Sequence, residues 1–515
     1  MENLLSITVF TPLLAGLILA AFLRGEDITA QRNAKWVTLI ATTLTFLVSL
    51  FIYFDFDTGD PGYQFVEERP WVLGLQYKLG VDGISVLFVL LTTSLMPLIV
   101  ASAWNLTHRV KEYMISFLFL ETLLLGTFAS LDVVLFLLFF EATVIPLFLI
   151  IGIWGGTDRL NAAFKMVVFS GIGAVLMLTA MLLVFREAGS TDIEALTNFT
   201  FSSEAITILG LQIPGGIESV LCVVLLLGLL IRFAFWPLHR WMLDAQVQAP
   251  PTGSIVLAAL IVNMAGYGLL RFVISMFPIA ADALAPILIW VAAFTAVYAI
   301  LAATSQRDMK RLIGYFVIAQ VGFATIGIFS VTTEGVQGAI IYLISQSVVV
   351  AALLICLSIL EQRTGTRDVN ALGGLMQNMP RFALFFMIFA FSITGVPGTG
   401  GFVGVLLTLM GVIEFSGLLA LVILLCWVTV GGLALGLYRK VMFGNLIKGS
   451  LKTVADLTAR EKAVIAPLIA VILVLGIFPV FALDMIRPTV EVLVANYQTA
   501  LAEAPALDRL VELNQ

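Results

Sequence analysis

The chain has 515 residues, of which 60% are hydrophobic and 12% are charged, with a formal net charge of −6. Its mean hydropathy is +1.07. This composition excludes a soluble protein and indicates a polytopic membrane protein. Apolar segments of helical length follow one another nearly end to end, without the alternation that is typical of a β-barrel. We therefore predict an all-α fold in a single membrane domain over residues 1–515.

The hydropathy pattern predicts fourteen transmembrane spans in chain order. They begin near Asn3, Asn33, Val81, Glu112, Asp132, Ala162, Glu218, Thr252, Ala283, Asp308, Gly335, Arg381, Ser416 and Val464. No basic segment precedes the first span, so we expect no cleavable signal peptide. Most of the 27 Lys and Arg residues lie in the connections after odd-numbered spans. This bias places those connections in the cytoplasm and both termini on the outer side.

Span 5 contains a carboxylate near its middle. Glu141 lies nine residues after Asp132, which puts it roughly 14 Å into a hydrocarbon core about 30 Å thick. An ionisable group at that depth usually faces the protein interior and marks an ion or proton route. Pro146 removes a backbone donor close to the acid. The alternative is a neutral Glu141 that is hydrogen-bonded inside the bundle.

Three cations also lie inside predicted spans: Lys165, Arg232 and Arg271. Lys165 is about one turn from the cytoplasmic end of span 6, where snorkelling to the interface is an equally good interpretation. Arg232 lies roughly 20 Å past Glu218, too deep for easy snorkelling. A guanidinium stays charged, so Arg232 is suited to pair with a carboxylate rather than to shuttle protons. We predict a buried pair with Glu141, either direct or bridged by water.

Two spans carry signs of interruption. In span 7, prolines, aromatic residues and His239 crowd residues 233–254, and in span 12 glycines and Pro397 crowd residues 395–404. Interrupted helices in corresponding positions are typical of transporters built from two repeats. We predict inverted five-helix repeats in spans 4–8, residues 112–276, and spans 9–13, residues 283–443. Close helix packing is the alternative explanation for the glycines of span 12.

The polar residues of the first interruption have more than one interpretation. The pKa range of histidine suits proton exchange, but His239 could equally be a structural hydrogen-bonder. Asp244 could cap the helix that follows. Cys222, Cys356 and Cys426 lie separately in apolar segments without metal-ligand spacing, so we predict core thiols and no metal site.

The chain resembles the M-chain family of bacterial respiratory complex I, the proton-translocating NADH:quinone oxidoreductase, over essentially its whole length. The motifs that carry the resemblance are LGVDGISVLFVLLT, FFEATVIPLFLIIGIWGG, AAFK, FWPLHRWMLDA, MAGYGLLRF, RDMKRLIGY, TRDVNALGGL, GVPGTGGFVG and LYRKVMFG. The resemblance implies fourteen spans, two inverted repeats, a multi-pass location in the inner membrane with periplasmic termini, and homologous antiporter-like chains on either side. It implies no redox cofactor in this chain, with flavin, iron–sulfur clusters and quinone in partner subunits, lipid contacts, and no nucleic acid.

The resemblance also assigns candidate proton-pathway residues. Glu141 matches the family's buried glutamate, and Arg232 occupies the position of the lysine that pairs with it. Lys165 matches a lysine of span 6, and His239 lies in the family's proline-histidine-tryptophan turn.

Elsewhere the chain departs from the family pattern. Asn263 replaces a lysine of span 8, Gln320 and Gln346 replace histidines of spans 10 and 11, and Val405 replaces an ionisable residue of span 12. Each change removes a group that titrates. We therefore expect a membrane-arm subunit that contributes to proton translocation coupled to quinone reduction, with impaired conduction of its own. The alternatives are a subunit of a cation/proton antiporter and a non-conducting structural spacer.

Overall fold

A computed structural model of the chain describes residues 3–23, 25, 27–71, 75–201, 206–208, 211–213, 215–445 and 454–503. Within these residues, eleven helices are long and apolar enough to cross a membrane, and a further helix pair qualifies only when it is counted together. The predicted all-α membrane fold is confirmed. The count of fourteen treats each interrupted helix as one span and stays a prediction.

The first part of the chain forms a series of helices and one hairpin. Its elements are α1 (Leu4–Phe22), α2 (Ile28–Asp55), β1 (Gln64–Pro70), β2 (Gln76–Val81), α3 (Ser85–Ser102) with a 3₁₀ turn (Ala103–Asn105), α4 (Val110–Ala129), α5 (Val133–Ala142), α6 (Val144–Trp154) and α7 (Arg159–Ala188).

The middle of the chain contains the first interrupted helix and a span with two π-helical segments. Its elements are α8 (Ile193–Thr197), β3 (Ile206–Ile208), β4 (Leu211–Ile213), α9 (Gly216–Arg232), α10 (Arg240–Gln248), α11 (Pro251–Val256), a π segment (Leu257–Ile261), α12 (Val262–Gly268) and a second π segment (Leu269–Ile274).

The last part contains the second interrupted helix. Its elements are α13 (Pro278–Thr304), α14 (Met309–Phe329), α15 (Thr333–Thr364), 3₁₀ turns (Val369–Ala371 and Leu375–Gln377), α16 (Pro380–Ile393), α17 (Gly400–Ile413), α18 (Gly417–Met442), α19 (Ala459–Ile477) and α20 (Val480–Glu503).

Helix α15 is the centre of the bundle. It is 32 residues long, is buried along its membrane-length stretch, and packs against α11, α14, α16, α17, α19 and α20. Span 8, from Pro251 to Ile274, is buried in the same way. Helix α14 is also buried in this way. A helix that is apolar all round must lie inside a bundle, so these three spans form the core.

The chain makes the same local contact twice. Asp132 caps α5 and forms an antiparallel bridge with Asp192, and Asp308 caps α14 and forms the same bridge with Asp368. In both cases the aspartate side chain accepts hydrogen bonds from the first turn of its helix. The start of span 5 and the start of span 10 are therefore held by equivalent contacts.

Several features of the fold were not predicted, among them the antiparallel pairing of β3 with β4. The antiparallel hairpin of β1 and β2 lies in the connection after α2. Helix α20 follows α19 at a bend of 65°, and Thr489 and Tyr497 attach it to Gly83 and Asp282. Its charged residues and Pro488 gave it the composition of an extramembrane tail, so the helix depends on these tertiary contacts.

The close approach of α15 and α17 generates a stability prediction. A Cβ atom at Gly404 would lie 2.7 Å from both Cα and N of Tyr342. Backbone cannot move aside as a side chain can, so Gly404→Ala is expected to destabilise the bundle by about 1–3 kcal/mol. Gly436→Ala in α18 is the matched control, because nothing lies within 4 Å of a Cβ there. Thermal unfolding of the purified protein in mild detergent measures both; equal midpoints would contradict the prediction.

Candidate functional site

Glu141 lies at an irregular point of span 5. Helix α5 ends at Ala142 and α6 begins at Val144, and Pro146 gives no donor to the carbonyl of Ala142. Glu141 is half-buried, and its Oε1 is buried without a hydrogen-bond partner among the described residues. The residue lines an apolar groove of about 620 Å³ between α5 and α7. A carboxyl at this place is surrounded by apolar walls, so its charged form is costly there.

Arg232 is the last residue of α9 and is 1% exposed. Its guanidinium donates to Ser170 Oγ at 2.9 Å, to Thr143 Oγ1 at 2.8 Å and to the carbonyl of Phe140 at 3.0 Å. The ring of Phe140 lies 4.8 Å from Cζ, in a cation–π contact. The side chain therefore crosses from span 7 to span 5 and binds at the helix irregularity.

Glu141 and Arg232 are not in direct contact. No ion pair within 4.0 Å joins the two side chains, because the guanidinium of Arg232 is turned toward Phe140 and Thr143. The two residues nevertheless meet at the same turn of span 5. The direct form of the predicted pair is wrong, and the water-bridged form stays a prediction.

Lys165 lies at the surface of the isolated chain. Its Nζ is 2.9 Å from Asp244 Oδ2, and the side chains are 45% and 33% exposed. This geometry favours the snorkelling interpretation of Lys165. Asp244 is inside α10 and does not cap α11, whose preceding residue is Pro250, so the capping interpretation is wrong.

His239 precedes α10 and is 2% exposed. Its ring lies 5.2 Å from that of Tyr298, and neither ring nitrogen has a hydrogen-bond partner among the described residues. A structural hydrogen-bonder would have one, so the ring nitrogens are available to water or to a proton donor.

The carbonyls left free at the interruption of span 7 and at the end of α10 find donors inside the protein. Trp241 Nε1 donates to Ile231 O at 2.9 Å. Lys310 Nζ, from the start of α14, donates to Ala249 O at 2.5 Å, and Arg367 donates to Val247 O at 3.0 Å. Sequence reasoning missed the roles of Lys310 and Arg367, although the RDMKRLIGY and TRDVNALGGL motifs contain them.

A line of uncharged polar side chains connects span 8 to the interruption of span 12. Asn263 donates to Ser347 Oγ of α15 at 2.8 Å, while its Oδ1 has no partner among the described residues. The neighbouring Gln346 packs on α17, where a Cβ at Gly401 would lie 2.6 Å from its Nε2. Val405, one turn further along α17, is 2% exposed.

Other buried amides lie unpartnered within the part of the chain that the structure describes. Both polar atoms of Gln246 and of Gln320 are buried without a hydrogen-bond partner. Such groups cost about 1–3 kcal/mol each if they stay dry, so they are sites for bound water.

A buried ion pair was missed because its partners are far apart in sequence. Arg271 Nη2 lies 2.5 Å from Asp82 Oδ2, with side chains 7% and 2% exposed. Arg271 also donates to the hydroxyls of Tyr63 at 3.0 Å and Tyr267 at 3.1 Å. The sequence marked Arg271 as a buried cation but gave no signal for its partner. A fully partnered arginine of this kind fixes the outer end of span 8 against α3.

The described residues contain no group of three or more His, Cys, Asp or Glu side chains that could hold a metal ion. Cys222, Cys356 and Cys426 are buried free thiols.

A helical membrane bundle with interrupted helices and buried ionisable residues at mid-span defines the chain as an ion-translocating type of membrane protein. Residues 130–431 match the family model described as NADH:quinone oxidoreductase/Mrp antiporter, TM. The chain therefore belongs to this family, and within it to the M subunits of NADH-quinone oxidoreductase, as the full-length relatives show.

The chain is 48% identical to the NADH-quinone oxidoreductase subunit M of Rhodobacter capsulatus, over 98% of this chain and 100% of the relative. It is 35% identical to subunit M of Rickettsia prowazekii, over 96% and 99% of the two chains. A chain of respiratory complex I from Thermus thermophilus superposes with a TM-score of 0.84 at 26% identity, over 96% and 99%. A chain of the Mrp complex from Dietzia superposes at 0.82, over 97% and 99%; its 18% identity shows the fold alone.

The Arg271–Asp82 pair is buried and the Lys165–Asp244 pair is exposed, which gives a prediction for the two together. Asp82→Asn leaves the buried guanidinium of Arg271 without its counter-charge, which is expected to destabilise the protein by about 3–5 kcal/mol. Asp244→Asn removes only an exposed pair and is expected to change stability by about 0–1 kcal/mol. Heat resistance in mild detergent and the amount of chain retained in membranes compare the two variants. A larger loss in Asp244→Asn would contradict the burial argument.

Proposed function

We propose that this chain is the antiporter-like membrane-arm subunit of NADH:quinone oxidoreductase and contributes to proton translocation coupled to quinone reduction. The near full-length likeness to subunit M relatives supports the oxidoreductase over a cation/proton antiporter, because the Mrp likeness carries only the fold. Purification in mild detergent tests this assignment. Copurification of subunits that carry flavin and iron–sulfur clusters supports it, and their absence from a complex of antiporter chains alone would overturn it.

The chain acts in the membrane and needs partners for electron transfer. Homologous antiporter-like chains flank it, and lipid covers the remaining apolar surface, which includes exposed Val168, Val175 and Leu182 along α7. Flavin, iron–sulfur clusters and quinone belong to partner subunits. The distribution of Lys and Arg supports a location in the inner membrane with both termini in the periplasm.

The two inverted repeats, residues 112–276 and 283–443, have a structural argument in their favour. The bridge between Asp132 and Asp192 recurs between Asp308 and Asp368, with the same spacing along the chain. Each repeat also contains one interrupted helix, at residues 233–239 and 394–399. By the charge bias the first bridge is on the outer side and the second on the cytoplasmic side, as inversion requires.

The first repeat holds the groups that handle charge. Glu141 is the candidate that binds and releases a proton, since its carboxyl borders a groove and lacks a bonded partner at Oε1. Arg232 keeps its charge and biases Glu141 through the field at the shared turn of span 5. His239 exchanges protons at the interruption of span 7, and Lys165, held by Asp244, acts at the cytoplasmic edge.

The observation that carries the proposal is the line of buried polar atoms without protein partners between the repeats. Gln246, Asn263 and Gln320 each hold at least one. Buried amides of this kind are normally satisfied by water, and a connected file of water conducts protons without a titrating side chain. The centre of the bundle is therefore hydrated, which a dry structural spacer would not need.

Proton conduction along this line is weakest at Val405. Polar atoms of Ser345 and Gln346 reach Gly400 and Gly401, one turn earlier in α17. Val405 is buried and offers neither a charge nor a hydrogen bond, so water has no partner there. The second repeat thus has the scaffold of a proton exit and a dry gap within it.

Replacement of the acid in span 5 tests the first repeat. Glu141→Gln keeps the shape and much of the hydrogen bonding but cannot release a proton, so the complex should assemble and translocate fewer protons per electron pair. Glu187→Gln, at an exposed position near the end of α7, is the matched control. Proton uptake and quinone reduction are measured together in proteoliposomes.

Two outcomes would count against this role of Glu141. An unchanged ratio of protons to electrons would remove it from the pathway, and loss of the chain from the membrane would make it a structural residue.

Restoration of titratable groups tests the second repeat. Val405→Glu alone places a charge at a dry site, where it would be neutralised or would destabilise the bundle. Combined with Asn263→Lys it should raise proton translocation, while neither change alone does so. The ratio of protons to electrons in proteoliposomes compares the three variants. Normal pumping by the unaltered chain, or continuous ordered water past Val405 in a well-resolved map, would show that the substitution is tolerated.

A further inference from the structure

Glu121 is a buried carboxyl that none of the sites above uses. It is the twelfth of twenty residues in α4, which places it near the middle of the span. Its exposure is 0%, and neither Oε1 nor Oε2 has a hydrogen-bond partner among the described residues. A bare carboxylate at such a place is costly, so the group holds its proton as a neutral acid.

The contacts of α4 show which span Glu121 faces. Tyr113 is hydrogen-bonded to Thr252, and the ring of Phe128 lies 5.4 Å from that of Tyr267. Both pairs join α4 to span 8, and both helices advance by fifteen residues between them. At about 100° per residue, Glu121 lies on the same side of α4 as Tyr113 and Phe128. The side chain therefore points toward span 8, between those two contacts.

The same spacing gives the level of Glu121 along span 8. It lies eight residues after Tyr113, which corresponds to Leu260, about one turn before Asn263. Asn263 Oδ1 is a buried acceptor without a partner among the described residues, and Asn263 Nδ2 donates to Ser347 Oγ of α15. An unpartnered acid and an unpartnered acceptor thus lie within about one helical turn of the same level, at the start of the polar line between the repeats.

The elements packed on α4 supply no cation that would hold Glu121 as a carboxylate. Helices α1 and α3 carry no titratable side chain. On the other neighbours, Lys35 is bonded to carbonyls of Trp104 and Leu106, and Lys78 is paired with Asp192. On α2, Arg32 and Asp55 are exposed, and the other titratable groups on the elements that pack on α4 are Tyr53, Tyr77, Tyr267 and Glu141, of which Glu141 borders the groove toward α7. Glu121 can therefore change charge only by passing its proton on.

We propose that Glu121 is a proton-carrying residue of the polar line between the repeats and exchanges its proton with water at Asn263. In each transfer the carboxyl O–H bond breaks and an O–H bond forms on the water; a second water then gives a proton to the carboxylate and restores the acid. Glu121 thus supplies the titrating group that Asn263 cannot provide. This role rests on the proposed function, because it requires that protons enter the first repeat.

The test uses the whole complex in proteoliposomes with Glu121→Gln and Glu121→Asp. Thr127→Val in the same helix is the control, since it is equally buried and removes no acid. Infrared difference spectra of wild type against Glu121→Gln should show the loss of one protonated carboxyl band that shifts in D₂O. The ratio of protons to electrons should fall in Glu121→Gln, recover in part in Glu121→Asp, and stay unchanged in Thr127→Val.

An unchanged ratio in Glu121→Gln, or no missing carboxyl band, would overturn the assignment and leave a structural acid. If Glu121→Gln does not assemble, Glu121→Asp decides: a shifted band with a lowered ratio supports the role, and an unchanged ratio excludes it. Glu141→Gln separates this inference from the proposed function. If the ratio of protons to electrons falls in Glu141→Gln but not in Glu121→Gln, only the role of Glu121 is excluded. If the ratio falls in neither variant, the proposed proton pathway of the first repeat is excluded.

Discussion

The scarcity of water in the hydrocarbon core is the constraint on which the structure depends, because each polar group there must find its partner inside the protein. The two terminal nitrogens of Arg232 show how this is met. Its guanidinium takes Phe140 O, Thr143 and Ser170 as acceptors, and these lie where span 5 is irregular and on the neighbouring α7. The irregular helix beside Glu141 therefore supplies acceptors to the buried arginine, and the arginine supplies donors to the helix.

The same constraint explains why helices can be interrupted at all. Around the interruption of span 7, Trp241, Lys310 and Arg367 donate to carbonyls that the helices leave free. In span 12, α18 and α19 close around the interruption, where a Cβ at Gly395 would meet Trp427. Interruptions are thus stable only inside a bundle that supplies donors or close packing, and they bring irregular backbone to the centre of the membrane.

Where the constraint is not met, function is the reasonable explanation. Glu121, His239 and Gln320 hold buried polar atoms without protein partners, and each would destabilise a dry core. They lie in the interior of a chain whose family translocates ions. Arg271 and Asp82 are the contrast: they are as deeply buried, but they satisfy one another and two tyrosines, so they fix the fold rather than carry a proton.

The sequence by itself determined the membrane class, the helical fold, the family and the depth of Glu141 and Arg232, because hydropathy and helical rise act locally along the chain. It could not place α20 or the hairpin of β1 and β2, whose composition is not that of a span. Only the tertiary structure decided that Arg232 binds Phe140 O instead of Glu141, that Arg271 meets Asp82, and that Glu121 is fully buried without a partner among the described residues. Partners so distant in sequence leave no pattern in it, since their contact depends on how the helices pack.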